Sequence, residues 1–196
     1  MLTKLNSFII DISTSWWKFL LVLATQVLTM RIMMGWINPQ FPDVSGGHLP
    51  FDMQNDLTVE QIFGQLETYT DRAFELYTIF QAVDYIFPLA AGLVLATICA
   101  FGLRNTSEKY YAIAKEKNLF LLILIATVFD WLENLNLLCV VIGWPEQINL
   151  AAQLAVIAKQ GKLASMNFSF AVTGILLLTG TFGWARQRLR REPAAD

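Results

Sequence analysis

The sequence predicts an all-α integral membrane protein, a four-helix bundle with an outer helix extending the second span. Three observations predict it. Of the 196 residues, 55% are hydrophobic and only 15% are charged, against about 25% charged in soluble domains. Four stretches have the roughly 20 mostly apolar residues that a spanning helix needs. In FLLVLA, FLLILIATVF and GILLLTG the apolar residues go nearly all round the helix, whereas a helix of a soluble bundle keeps a polar face.

The chain reads as one four-span domain over 1–196, without an internal repeat. Residues 1–13 are polar or mixed, and the first span covers about 14–36. That run is long enough to cross a membrane, so no cleavable signal peptide is expected. An outer loop and helix fill 37–75. The Pro-, Gly- and Asp-rich start of this segment reads as irregular. Leu49, Pro50 and Phe51 are expected to fold back as an apolar plug. Thr58-Val59-Glu60-Gln61 then fits a capping box, and Val59, Ile62, Phe63, Leu66, Tyr69, Ala73 and Phe74 follow at helical spacing. This outer helix is expected to run almost unbroken into the second span, about 76–103. The third span covers about 118–144 and the fourth about 163–184. The connection before the fourth, INLAAQLAVIAKQGK, is amphipathic enough to lie along the membrane surface.

Basic residues set the orientation, because cytoplasmic loops carry excess Lys and Arg. Lys4 precedes the first span; Arg104, Lys109, Lys115 and Lys117 lie between the second and third; Arg186, Arg188, Arg190 and Arg191 follow the fourth. The other two connections hold only Arg72, Lys159 and Lys162. Both termini are therefore expected in the cytoplasm. Trp36 and Trp144 then mark the outer interface, and Trp16, Trp17 and Trp184 the inner one. Residues 37–75 carry seven acids against one base, which obeys the same rule.

Several chemistries are disfavoured at once. A net charge of −2 offers nothing to nucleic acid. One histidine, His48, and two cysteines do not make a histidine-rich metal centre or bis-histidine haem ligation, so no metal or cofactor is expected. Cys99 and Cys139 fall near opposite ends of their spans, about 20 Å or more apart, beyond the roughly 7 Å Cα limit of a disulfide.

The informative residues are charges within the spans: Arg31, Asp84, Asp130 and Glu133. An ionisable group at a helix centre costs roughly 2.5–3.5 kcal/mol on insertion scales, and so marks a candidate site. At 1.5 Å per residue, Arg31 stands roughly 20 Å above Lys18, Asp130 roughly 20 Å above Lys117, and Asp84 roughly 30 Å above Arg104. All four belong in the outer half of the membrane. Asp130, Glu133, Asn134 and Leu137 share one stripe of the third span, and Tyr77, Gln81, Asp84 and Pro88 one stripe of the second. Polar stripes turn toward the bundle interior, so these two are expected to face each other. Arg31 is the expected counter-ion. Thr25, Gln26 and Thr29 on the first helix, with Asn167, Ser169 and Thr173 on the fourth, can add hydrogen bonds. Pro88 is expected to kink the second helix beside the pocket. Three acids sharing one base call for protons, bound water or a cationic ligand.

The strings Leu49-Pro50-Phe51-Asp52, then Arg72, Tyr77 and Asp84-x-x-Phe87-Pro88, then Asp130-Trp131-x-Glu133-Asn134 resemble uncharacterised bacterial four-span membrane proteins. That resemblance implies a bacterial inner-membrane location and no particular activity. More distantly, the plan is similar to the EXPERA group of sterol isomerases and sigma-2-type receptors. There four helices enclose a cavity for lipophilic amines or sterols, and an acid precedes a proline in the second helix, as in Asp84 to Pro88. The group's intramembrane histidine has no counterpart; the third span carries Asp130 and Glu133.

The expected function is binding of a lipophilic or cationic small molecule in an acidic cavity. Its expected lining is Arg31, Tyr77, Gln81, Asp84, Asp130, Trp131, Glu133 and Asn134, and aromatic faces attract a cation as acids do. One alternative is a structural or assembly subunit contacting other membrane proteins, since Gly174, Gly180 and Gly183 would let another helix approach closely. The other is an intramembrane enzyme using Asp84, Asp130 or Glu133 as general acid or base on a lipid-like substrate. Membrane lipids are partners in every reading.

Overall fold

A computed structural model describes residues 1–189; Arg190 and Arg191 of the basic tail lie outside the described residues. The described chain is all α-helical, and four stretches are long and apolar enough to cross a membrane: Trp16–Ile37, Asp71–Thr106, Leu119–Gly143 and Asn149–Leu189. Leu28, Leu135, Ile175 and Leu178 are each more than half exposed. A soluble surface rarely carries so much apolar area, whereas lipid accommodates it.

Helix α1 (Leu2–Thr14) precedes the first span. Sequence reading gave this stretch no helix, although Asn6, Ile9 and Ile12 recur at threefold spacing and are its buried residues. Ser15, in an extended conformation, separates it from α2 (Trp16–Ile32), which ends in a π-helical turn over Met33–Ile37. Short helix α3 (Phe41–Val44) and a 3-10 turn over Phe51–Met53 follow.

Helix α4 (Val59–Leu66) starts at the capping box read from the sequence: the Gln61 amide donates to Thr58 Oγ1 at 3.3 Å, and the Thr58 amide to Gln61 Oε1 at 2.9 Å. The neighbouring Glu60 carboxyl is held below its usual range, by its own backbone amide first and by Thr58 second. The almost unbroken run expected into the second span is corrected. The chain turns after Leu66, and Thr70 caps a new helix, α5 (Asp71–Asp84). Tertiary bonds hold that turn: the Thr70 amide and hydroxyl both donate to Val44 O, and Thr68 Oγ1 to Ser45 O. Gly46, at φ +71°, faces Thr68 so closely that a Cβ would collide with it.

The second span is itself interrupted. Helix α5 ends at Asp84, and α6 (Phe87–Thr106) begins with Pro88 in its first turn, where a missing N–H is tolerated. Helix α7 (Glu108–Glu116) and a 3-10 stretch over Leu119–Leu124 lead into α8 (Ile125–Gly143). Helix α9 is continuous over Asn149–Leu189. The connection read as a surface helix is therefore the first third of the last span, and its Ala151, Ala152, Ala155 and Ala158 are buried.

Residue contacts gather into two compact units. One comprises Met1–Leu23, Ala91–Ile125 and the chain from Ser165 onward. In it α1 packs on α7 and the 119–124 stretch, and Asn6 Nδ2 donates to Lys115 O at 3.1 Å. Helices α6 and α9 cross at Gly102 and Gly180, where a Cβ on either would strike the other helix's backbone; Gly183 likewise meets Asn105 O. These glycines of α9 thus serve contact within the chain, and only Gly174 faces open space. Gly102→Ala is expected to cost about 1–3 kcal/mol through overpacking, with Gly174→Ala near neutral. Thermal unfolding in detergent checks the contrast.

The second unit comprises Ala24–Ala90 and Ala126–Ala164. Its core is built from Met33, Ile37, Phe41, Phe51, Leu66, Tyr77, Phe80, Leu137 and Val140. Phe51 stacks on Tyr69 (5.6 Å) and meets Tyr77 edge-on (5.5 Å). The plug is thus Pro50 and Phe51; Leu49 remains substantially exposed. Burial pushes the Tyr69 phenol above its usual range. The acidic cluster lies wholly within this unit.

Candidate functional site

Helices α5, α8 and α9 and the 51–53 turn each contribute charge. On α8, Asp130, Glu133, Asn134 and Leu137 form the expected stripe, and all four are buried. On α5, Tyr77, Gln81 and Asp84 are buried on one stripe, and the helix stops at Asp84 itself. The interruption there is served by α8: Trp131 Nε1 donates to Tyr85 O at 2.9 Å, and Thr127 Oγ1 to Pro88 O at 2.8 Å. On α9, Lys159 and Lys162 continue the buried alanine stripe, at 4% and 5% exposure. Gly161 between them lets the Phe129 ring press on α9, where a Cβ would collide.

Two ammonium groups thread the cluster. Lys159 Nζ donates to Glu133 Oε1 (2.7 Å) and to the backbone oxygens of Phe51 (3.0 Å) and Asp52 (3.1 Å). Lys162 Nζ lies 2.5 Å from Asp52 Oδ1, 2.7 Å from Glu133 Oε2 and 3.5 Å from Asp130 Oδ1. The amides form a second layer. Asn134 Nδ2 donates to Asp84 Oδ2 (2.8 Å) and Asp130 Oδ1 (3.4 Å). Gln81 Nε2 donates to Tyr77 Oη (3.0 Å) and Asn134 Oδ1 (3.4 Å). Gln81 Oε1 is buried with no hydrogen-bond partner among the described residues.

The structure therefore brings together Tyr77, Gln81, Asp84, Asp130, Glu133 and Asn134. It leaves out two residues of the expected lining. Arg31 is exposed on α2 and makes no ion pair among the described residues; the counter-ions are Lys159 and Lys162. Trp131 turns away from the cluster, onto a shallow groove with Tyr85, Val128, Leu132 and Leu135. The supporting hydroxyls are also elsewhere: Thr29 bonds back to its own helix, Ser169 Oγ faces Ile123 O, and Thr173 pairs with Cys99. Sequence reading missed both lysines by counting them as loop charges. Their signal was their register with the alanines at 151, 152, 155 and 158.

Comparison with protein-family models, curated proteins and solved structures finds no match to this chain.

Four carboxylates meet two ammonium groups here, an excess of two. One oxygen from each of Asp52, Asp84 and Asp130 lies within 4.8 Å of the others. Like charges at that distance repel by roughly 3–4 kcal/mol per pair at an effective dielectric near 20. A positive species, whether proton, metal or ammonium, relieves this. Lys162 already contacts two of the three acids and repels a divalent ion. Asp84 makes no ion pair among the described residues; its one hydrogen bond there is from Asn134.

Proposed function

We propose that this integral membrane protein binds a lipophilic amine, its ammonium group held by Asp84, Asp130 and Asp52. The observation that carries the reading is the convergence of these three carboxylates with Asp84 lacking a lysine partner. Two further features support it. The cluster already accommodates two ammonium groups in good geometry, so a third is matched in charge. Phe51, Tyr77 and Phe80 pack beside it and supply apolar and aromatic surface that suits an amine's hydrocarbon part. The unpartnered Gln81 Oε1 is an acceptor for an ammonium proton. Both termini lie in the cytoplasm in this reading, by the distribution of Lys and Arg, and the membrane is a bacterial inner membrane.

Thermal unfolding of the detergent-purified protein against long-chain alkylamines and chlorides of sodium, potassium, magnesium and calcium tests this. At 100 times Kd, an amine should add about 2.7 kcal/mol of stability, the metal chlorides should not, and Asp84→Asn should lose the response. Stabilisation that survives Asp84→Asn, or a panel with no active amine, would overturn the proposal.

One observation favours a second reading. Lys159 and Lys162 fasten the 51–53 turn to α8 through five contacts of 2.5–3.1 Å, as a purely structural lock would. A lock predicts that Asp84→Asn changes stability alike with and without amine.

A further inference from the structure

The first compact unit contains a cleft of about 470 Å³ that the acidic cluster does not involve. Its walls are the α1–α2 elbow (Ser13 to Trp16, with Phe19), one stripe of α6 and Leu177 of α9. The volume falls in the range of small-molecule pockets. On α6 the lining residues Thr97, Phe101 and Arg104 recur at i, i+4 and i+7, one face of a helix.

Two polar residues of α6, Thr97 and Arg104, stand one beyond the other along this cleft. Thr97 is 3% exposed, and its hydroxyl has no hydrogen-bond partner among the described residues. A threonine in such a helix ordinarily bonds back to its own backbone, as Thr106 and Thr179 do. Two helical turns along, roughly 10 Å, is Arg104. Its Nη2 donates to Ser13 O at 3.0 Å and its Nη1 to Ser13 Oγ at 3.5 Å, while the guanidinium lies over Phe101 at 5.9 Å. A guanidinium has five N–H donors, so donors remain for an anion. Among the described residues, Arg104 is the one charged residue lining the cleft. At its mouth Trp16 is largely exposed, as aromatic residues at a membrane interface are.

We propose that this cleft holds an anionic phospholipid, with the phosphate on Arg104 and one acyl chain running past Phe101 so that its ester oxygen accepts from the Thr97 hydroxyl. Charge complementarity selects an anion, because a planar guanidinium recognises phosphate through paired hydrogen bonds. The bilayer selects a phospholipid, since it surrounds the half-open cleft with that amphiphile and lets the second chain stay outside.

Photo-crosslinking tests it. The full chain is placed in nanodiscs of phosphatidylcholine containing a minority of phosphatidylglycerol with a diazirine acyl chain, and labelled peptides are mapped. Labelling should fall on 97–101 and 16–19, and Arg104→Gln should lower it about tenfold, the equivalent of one charge-assisted hydrogen bond. Because Arg104 also holds the elbow, Leu177→Trp provides an independent variant that fills the cleft without touching it and should lower labelling equally. Equal labelling by diazirine phosphatidylcholine, or labelling unchanged in both variants, overturns the proposal. So does loss of the signal on adding oleate, which would assign the cleft to a free fatty acid.

Discussion

Lys162→Met is expected to destabilise the protein by about 3–5 kcal/mol, the cost of stranding buried partners of a broken ion pair. Lys162 is the hub of the cluster, within 3.5 Å of Asp52, Asp130 and Glu133. Its loss leaves four carboxylates around one ammonium. The exposed pair Arg72–Glu75 is the natural contrast; Arg72→Ala should change stability by no more than about 0.5 kcal/mol. Adding Glu133→Gln to Lys162→Met should restore part of the loss, because it removes one stranded charge. Denaturant unfolding followed by tryptophan fluorescence reads all three.

Phe51→Ala should cost nearly as much, about 3–5 kcal/mol for a large aromatic removed from a core. Phe51 is fully buried, stacks on Tyr69 and meets Tyr77. Its carbonyl also accepts from Lys159, so a cavity there loosens the roof of the charged cluster as well as the aromatic core. Leu49→Ala, two residues away but 41% exposed, should cost about 1 kcal/mol or less. Phe51→Leu should recover part of the loss by refilling the space. A shift of equal size in Leu49→Ala and Phe51→Ala would contradict this division of labour.

How much of this was legible in the sequence varied with the kind of signal. Long apolar runs specify spans almost by themselves, and all four were readable. The two polar stripes, on α5 and α8, were readable because helical periodicity places Asp84, Asp130, Glu133 and Asn134 without knowledge of neighbours. The capping box at Thr58 and the interruption at Pro88 are local chemistry and could be read directly. Arg31 was misplaced because depth was counted while facing was not. Thr29 and Met33 are the buried residues of that turn, and Arg31 lies about 200° around the helix from Thr29 at 100° per residue. The lysines escaped because hydropathy ends a span where charge begins. Helix α9 carries two charges into a buried stripe, which only partners elsewhere make affordable. Those partners come from α8, on a separate helix, and from Phe51 and Asp52, more than a hundred residues away.

Lys162, from α9, joins Asp52, from the outer segment, to Asp130 and Glu133 in one charged network. A double-mutant cycle on Asp52→Asn and Lys162→Met measures that directly. Groups in one network couple by 0.5–3 kcal/mol, and a largely buried pair at 2.5 Å should give about 2 kcal/mol or more. Additivity within about 0.5 kcal/mol would mean the two residues do not share a site, and would contradict the cluster on which the amine-binding proposal depends.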